Sequence, residues 1–214
     1  MTGDLVNGTD ICKKFGNKTV FDHFNFGIER GEFVCIMGAS GSGKTTLLNM
    51  IGLLVKPDFG KLSVFGEVNP GYHTGKGREI LRSKISYLFQ NCGMIEEETV
   101  GYNLQLAERY LHKSRKEKDA IRRTALEKVG LEGMENNKIY TLSGGEQQRA
   151  AMAAACIKPS ELILADEPTG NLDTHNRDLV FDILAAMNKE GKTIVMATHD
   201  PAAEKYASRV LRLL

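Results

Sequence analysis

The stretch Gly38-Ala39-Ser40-Gly41-Ser42-Gly43-Lys44-Thr45-Thr46 decides the fold of this 214-residue chain. It fits the pattern G-x-x-x-x-G-K-[ST] at every fixed position. Residues 32–37 before it, apolar from Phe33 onward, are typical of a buried strand, and Leu47, Leu48 and Ile51 follow it at helical spacing. A strand, a glycine-rich turn and a helix in this order predict an α/β fold of the phosphate-loop NTPase class, with a loop that wraps phosphate groups.

The residue types of this loop suit binding of the negatively charged phosphates of a nucleoside triphosphate. We expect Gly38, Gly41 and Gly43 to adopt positive φ and to leave room for phosphate oxygens. Lys44 places a charge on the β and γ phosphates, and the Thr45 hydroxyl binds Mg²⁺. A flexible Gly/Ser linker is the alternative, and the flanking strand and helix disfavour it. The other nucleotide contacts predicted in the loop are Ser40, Ser42 and Thr46.

A second motif, Leu162-Ile163-Leu164-Ala165-Asp166-Glu167-Pro168, is a short apolar run that ends in two carboxylates. Such a run is typical of a central parallel strand, and open parallel sheets bind ligands at the carboxyl ends of their strands. Asp166 is then a candidate Mg²⁺ ligand and Glu167 a candidate general base for an attacking water. The alternative, two solvated acids at a strand end, becomes weaker because a phosphate loop lies in the same chain.

A third motif, LSGGEQQR at residues 142–149, lies between the other two. Ser143 can cap a helix, and Glu146 can complete a capping box by accepting from the Ser143 N–H. Taken alone, these residues indicate only the start of a helix.

Together with Gly170-Asn171-Leu172-Asp173 and Ala197-Thr198-His199-Asp200, these motifs stand in an order that resembles the ATP-binding subunits of ABC transporters. The resemblance covers essentially the whole chain and implies one ABC ATPase domain over 1–214. Its core would be RecA-like, with a parallel-rich sheet and an N-terminal antiparallel β subdomain, over 1–90 and 158–214. An inserted helical subdomain carrying the signature motif would occupy 91–157.

The resemblance also implies how the site works. Two copies, or this chain and a paralogue, would form a head-to-tail dimer around two ATP molecules with Mg²⁺ as cofactor. Each ATP would lie between the phosphate loop of one copy and the Ser143, Gly144 and Gly145 turn of the other. A helix N-terminus with free N–H groups suits a γ-phosphate at such an interface.

Four further residues match functional positions of the family. Gln90 resembles the glutamine that contacts Mg²⁺ and the attacking water, and His199 resembles the switch histidine that contacts the γ-phosphate. Asp173 looks like the loop aspartate that connects the two sites, and Phe15 matches the aromatic residue that stacks on adenine. The alternatives are a polar strand end for Gln90, a structural role for His199 and simple packing for Phe15.

Residues 166–173 and the chain's short ending look most like the branch of lipoprotein-release, macrolide-export and bacteriocin-export ATPases. The resemblance implies an ATPase that drives a separate membrane permease exporting a peptide, a lipoprotein or a hydrophobic compound such as an antimicrobial peptide. A non-transporting ATPase that transmits a mechanical signal to a membrane partner is the alternative. The acidic stretch 96–98 departs from the branch and predicts contact with a basic segment of the permease.

Composition limits the partners and the compartment. The 28 basic and 27 acidic residues give a net charge of +1, which offers no electrostatic case for nucleic acid. A cytosolic relative acting on DNA or ribosomes is disfavoured because the chain has neither a coiled-coil insertion nor a second cassette. The four cysteines lack C-x-x-C spacing, as in reduced cytosolic proteins, and no apolar run is long enough to span a bilayer. We therefore expect a cytoplasmic protein held at the inner face of the membrane by its permease.

Two further segments carry expectations about local structure. Residues 71–77 are glycine-rich and predict a connection that leads to the strand ending at Gln90. The basic stretch from Lys113 to Arg123 predicts a solvated helical face, starting at a Ser114 and Glu117 capping box and ending at Gly130.

Overall fold

A computed structural model describes residues 4–213 of the chain. Its centre is a sheet of five parallel strands in the order β6-β7-β8-β3-β9. The bounds of these strands are β3 Phe33–Met37, β6 Ile85–Leu88, β7 Leu162–Asp166, β8 Thr193–Ala197 and β9 Arg209–Arg212. The order brings the carboxyl ends of β6, β7, β8 and β3 side by side, and each of these ends leads into a predicted site residue or loop.

Both faces of the parallel sheet are covered, as the continuous apolar strands predict. Side chains of β3 alternate between the faces: Phe33, Cys35 and Met37 pack with the helices of one layer, and Val34 and Ile36 pack on the other side. The first layer contains α5 Gly144–Ile157 and α6 Thr174–Lys189. The second contains α1 Lys44–Ile51 and residues of the antiparallel sheet.

The N-terminal part forms an antiparallel sheet in the order β2-β1-β4-β5. Its strands are β1 Val6–Phe15, β2 Lys18–Ile28, β4 Phe59–Val64 and β5 Glu67–Val68. The pairing of β1 with β2 contains three irregularities, between Gly8 and Lys14. These bulges change which side chains face one another across the hairpin.

Between β6 and β7 the chain is helical, with α3 Val100–Ala107, α4 Arg115–Lys128 and then α5. The helix α4 begins with the predicted Ser114 and Glu117 capping box, and Gly130 follows its end with φ 66°. Short 3-10 turns lie at Glu108–Tyr110, Ile139–Thr141 and Pro201–Lys205. No helix of residues 4–213 is both long enough and apolar enough to cross a membrane.

Two expectations about local structure were incomplete: a helix in the connection to β6 was not predicted, and one residue of the basic stretch is not solvated. The glycine-rich connection contains a helix, α2 Gly75–Ser83, because the Thr74 hydroxyl accepts from the Gly77 N–H and starts it. Arg122 does not lie on a solvated face: its side chain is 15% exposed and forms an ion pair with the buried carboxylate of Glu108. A buried acid is stable only with such a partner, which draws this arginine inward.

Candidate functional site

The helix α1 begins without a side-chain cap. Gly43 is its N-cap residue, no side chain accepts from its first N–H groups, and its first turn has no acid. Within the described part of the chain, the other five α-helices all have a capping side chain: Thr74, Thr99, Ser114, Ser143 and Asp173. The phosphate loop therefore leads to free N–H groups at the positive end of a helix, which favours binding of an anion.

The loop glycines serve two different purposes. Gly41 and Gly43 have φ of 79° and 101°, the left-handed region that glycine adopts without strain. Gly38 was expected to share this conformation, which was wrong, because it is not among the residues with positive φ. A Cβ at Gly38 would lie 2.5 Å from the Ser42 Oγ and 2.6 Å from the Leu213 carbonyl oxygen, so close approach requires glycine there.

The Lys44 side chain lies against the backbone of the loop. Its Nζ donates to the carbonyl oxygens of Gly38 at 2.8 Å and Ala39 at 3.1 Å. The Ser42 Oγ is buried in the same loop without a hydrogen-bond partner among the described residues. A positive charge and an unsatisfied hydroxyl in one loop are groups that phosphate oxygens can satisfy.

Oxygen ligands for a divalent cation meet next to the loop. The Thr45 hydroxyl donates to the Asp166 Oδ1 over 3.1 Å, which joins the start of α1 to the end of β7. Burial raises the pKa of the Asp166 carboxyl above its ordinary value, against the lowering effect of the Thr45 hydrogen bond. A cation favours the charged form of a half-buried carboxylate, so a hydroxyl and a carboxylate at this distance fit Mg²⁺.

Glu167 and His199 lie together at the ends of β7 and β8. The His199 Nδ1 is 3.0 Å from both carboxylate oxygens of Glu167. The Glu167 N–H donates to the Ala197 carbonyl at 2.8 Å, and its φ of 44° is unusual for a residue with a side chain. The carboxylate is only 17% exposed and lines the same cavity as Lys44 and Thr45. A carboxylate so placed is within reach of a water beside a bound phosphate.

Gln90 follows β6 and lies near Glu167. Both residues line a cavity of about 190 Å³ that also contains Gly144. A Cβ built on Gly170 would be 3.8 Å from the Gln90 Nε2 and 3.8 Å from the Glu167 Cβ. The amide and the carboxylate therefore converge on the same turn after β7.

Phe15 lies at the turn of the β1–β2 hairpin, and its ring is half exposed. It lines a cavity of about 380 Å³ with Lys44, Thr45 and Glu167. The Lys13 Nζ is 5.1 Å from the ring centre. An exposed aromatic ring at the rim of the phosphate-loop cavity is available for stacking on a planar base.

The signature turn does not line the phosphate-loop cavity of its own chain. Ser143 and Glu146 form both hydrogen bonds of a capping box at the start of α5. A Cβ built on Gly144 would meet no atom within 4 Å, and Ser143, Gly144 and Gly145 do not line the phosphate-loop cavity. The phosphate loop and Gly144 thus line two different cavities of the chain, and Glu167 lines both.

Asp173 caps α6 and is tied to the signature helix through a residue that was not predicted. The Asn176 side chain donates to the Asp173 Oδ2 at 2.6 Å and accepts from Arg149 at 2.6 Å. A Cβ at Gly145 would be 2.5 Å from the Asn176 Oδ1. The spacing Asp-x-x-Asn at a helix start was the available sequence signal, because a capping aspartate faces the residue three positions on.

Known proteins share this fold and these motifs. The sequence profile of the ABC transporter family matches residues 21–170. The structure is similar to that of the ATP-binding cassette MJ0796, a dimer in a post-hydrolysis state bound to ADP and Pi. The TM-score is 0.87 with 34% identity, over 97% of this chain and 94% of that one.

Sequence relatives agree with the structural one. The chain is 39% identical to the uncharacterized ABC transporter ATP-binding protein YvrO of Bacillus subtilis, over 96% of this chain and 91% of YvrO. Over 91% of its length, this chain is 38% identical to the macrolide export ATP-binding/permease protein MacB of Mannheimia succiniciproducens. This match spans only 30% of MacB.

The similarity to MJ0796 confirms the predicted fold class, a parallel phosphate-loop NTPase sheet with an antiparallel β subdomain and helices. Together with the family profile, it also confirms the predicted binding and hydrolysis of ATP. The chain belongs to the ABC transporter family, as one of its ATP-hydrolysing cassettes.

Proposed function

We propose that two cassettes of this type close head to tail around two ATP molecules, each held between the phosphate loop of one and residues 143–145 of the other. The observation that carries this proposal is the separation of Gly144 from the phosphate-loop cavity of its own chain. The phosphate loop leads to the uncapped start of α1, and Gly144 at the start of α5 has open space where a side chain would lie, yet the two line different cavities of one chain. The relative MJ0796, which is a dimer bound to ADP and Pi, supports pairing of two cassettes.

The proposed chemistry assigns a role to each side of the site. Lys44 and the loop N–H groups bind the phosphates, and Phe15 stacks on the base. Mg²⁺, held by Thr45, Asp166 and Gln90, would screen the charge of the phosphate oxygens. Glu167 accepts a proton from water while the water oxygen attacks the γ-phosphorus, and ADP leaves. His199 orients Glu167 and contacts the transferred phosphoryl group.

Mixing two inactive variants tests the shared site. Lys44→Ala removes the phosphate charge, and Ser143→Arg blocks the signature turn, so each homodimer has two defective sites. A mixed dimer has one site with both defects and one that is intact. At equal concentrations we expect the mixture to recover about a quarter of wild-type ATP turnover, since half of the random pairs have one working site. A mixture with no more turnover than its components, and no ATP-dependent dimer, would contradict the proposal.

We further propose that the cassette works at the inner face of the cell membrane, where it drives a permease for export of a peptide, a lipoprotein or a hydrophobic compound. The relative MacB, named as an ATP-binding and permease protein for macrolide export, supports this direction of transport. The contact with the permease would include the acidic stretch 96–98.

Backbone hydrogen bonds join this acidic stretch to the signature turn. The Ile139 N–H donates to the Glu98 carbonyl at 3.1 Å, and the Tyr140 N–H donates to the Glu96 carbonyl at 3.2 Å. The turn Ile139–Thr141 leads directly to Ser143. Glu96 and Glu97 are exposed, as are the nearby Ile95 and Tyr140 side chains. A displacement of this stretch by the permease would therefore be transmitted to the start of α5 through two backbone hydrogen bonds.

Charge reversal separates coupling from hydrolysis. We expect Glu97→Lys to abolish co-purification with a permease that carries a basic cytoplasmic segment, while the isolated cassette keeps its ATP turnover. Glu96 is left unchanged because it lines the cavity of Gln90 and Glu167. The matched control is Glu132→Lys, at a residue that is exposed but lies outside this stretch. Unchanged co-purification would exclude this contact, and equal loss in the control would indicate a general charge effect.

A further inference from the structure

A cluster of potential metal ligands lies on the antiparallel sheet, outside the nucleotide site. Cys12 in β1 and Asp22 and His23 in β2 present a sulfur, a carboxylate oxygen and a ring nitrogen, all within 4.8 Å of one another. Cys12 is half-buried, whereas the side chains of Asp22 and His23 are 75% and 67% exposed. No step of ATP binding or hydrolysis uses these three residues.

A fourth residue fixes the orientation of the imidazole. The Asp10 Oδ1 lies 2.5 Å from the His23 Nδ1, so the carboxylate favours the tautomer with a proton on this nitrogen. In that tautomer Nε2 can bind a metal ion, in competition with a second proton, because Asp10 and Asp22 raise the pKa of His23. The Nε2 atom lies 3.9 Å from the Asp22 Oδ1. Histidines that ligate a metal usually donate their other ring N–H to a carboxylate or carbonyl in this way.

The backbone is shaped to bring the cluster together. Regular pairing from the hairpin turn would place Cys12 opposite Phe21, but the bulges place Cys12 beside residues 22 and 23. Asp10 and His23 have φ of 57° and 50°, and the His23 N–H donates to the Cys12 Sγ at 3.4 Å. Gly60 of β4 allows this shape, because a Cβ there would lie 2.3 Å from the Asp10 carbonyl oxygen.

We propose that Cys12, Asp22 and His23 bind one divalent transition-metal ion of the Zn²⁺ class, with Asp10 as the positioning residue for the imidazole. A set of sulfur, nitrogen and oxygen ligands suits Zn²⁺ and disfavours Mg²⁺ or Ca²⁺, which take oxygen ligands. Ligand atoms around tetrahedral zinc are about 3.5 Å apart, so small rotations of the exposed Asp22 and His23 side chains close the site. The thiol loses its proton as the metal–sulfur bond forms, and water completes the coordination.

The other three thiols are poor competitors for such an ion. Burial raises the pKa of Cys35 to about 12 and the pKa values of Cys92 and Cys156 to about 11. A metal ion binds the thiolate form of cysteine. Because their raised pKa values disfavour that form, these three cysteines bind a metal ion less readily. The proposal is independent of the proposed function, because the ligands lie outside the nucleotide site.

Cobalt(II) is the probe, because a cobalt–thiolate bond gives a charge-transfer band in the absorption spectrum. The purified full chain, stripped with a chelator, should develop the band with saturation at about one ion per chain, and Zn²⁺ should remove it. We expect Cys12→Ser to abolish the band. His23→Gln should weaken binding at least tenfold, and Asp10→Asn by about 10- to 100-fold.

Two matched controls keep the experiment decisive. Cys156→Ser removes a thiol elsewhere, and His112→Gln removes an exposed imidazole on another surface; both should bind cobalt as the wild type does. A band that survives Cys12→Ser would overturn the proposal. Equal affinity in His23→Gln and wild type would overturn it too, because binding would then be adventitious and use a thiol alone.

Discussion

Glu167 is held in a backbone conformation that residues with a Cβ rarely adopt. Its φ of 44° is fixed by the hydrogen bond from its N–H to Ala197, and its carboxylate is fixed by His199. Left-handed backbone costs about 1–2 kcal/mol for an L-residue, so the rest of the fold must compensate. Strain of this kind is common where a side chain must point into a reaction site.

Removing the charge of Glu167 should separate binding from hydrolysis. We expect Glu167→Gln to keep ATP binding and to lower turnover by about 10²- to 10⁴-fold, because the amide cannot accept a proton from water. Single-turnover hydrolysis with labelled ATP measures this step directly. Glu161→Gln, at the other end of β7 and exposed, is the matched control and should turn over ATP normally. Turnover within a few fold of wild type would transfer the role of general base to another group.

The backbone strain at position 167 can be measured without nucleotide. Both Glu167→Ala and Glu167→Gly remove the carboxylate, but only glycine relieves the left-handed conformation. We expect the glycine variant to have a free energy of unfolding about 1 kcal/mol higher than the alanine variant in urea denaturation. The reverse order, as at an ordinary helix or strand position, would show that this turn is not strained.

At the scale of single elements, two helices begin with the same capping box but differ in their proposed roles. Ser143 caps α5 and Ser114 caps α4, each with a glutamate three residues on. Loss of either hydroxyl should cost about 1 kcal/mol of stability. Only the α5 cap is proposed to meet a phosphate oxygen of the partner site. The pair therefore separates capping from catalysis.

We expect Ser114→Ala and Ser143→Ala to unfold at similarly lowered urea concentrations. Only Ser143→Ala should also lose ATP turnover, by roughly ten- to hundredfold, because a hydrogen bond to a charged oxygen contributes about 1.5–3 kcal/mol. Unfolding curves and ATP turnover measured on the same two preparations decide the point. Equal turnover in both variants would reduce the signature serine to a helix cap.

The elements also show what sequence can and cannot predict. The strands β3, β7 and β8 were predictable because each is a run of four or five apolar residues between polar or turn-forming residues. The helix α2 was missed because three glycines in residues 71–77 weigh against helix, and only the Thr74 cap starts it. The metal-ligand cluster of Cys12 and His23 could not be predicted, since bulges set the facing residues and no sequence rule fixes bulges.

At the scale of the whole molecule, motif order was the strongest guide. A parallel sheet brings the carboxyl ends of its strands to one edge, so residues after β3, β6, β7 and β8 had to lie near one another. The contacts of Thr45 with Asp166 and of Glu167 with His199 confirm that expectation. The link from Asp173 through Asn176 to Arg149 was not predictable, because it depends on how α5 packs against α6.

We propose that one chain holds only half of each complete ATP site. The most direct test is the molar mass of the Glu167→Gln protein in solution, measured by light scattering with and without MgATP. We predict that the mass doubles only with MgATP, and that Glu167→Gln combined with Ser143→Arg binds ATP without doubling. A protein that stays monomeric with ATP bound would contradict the shared site.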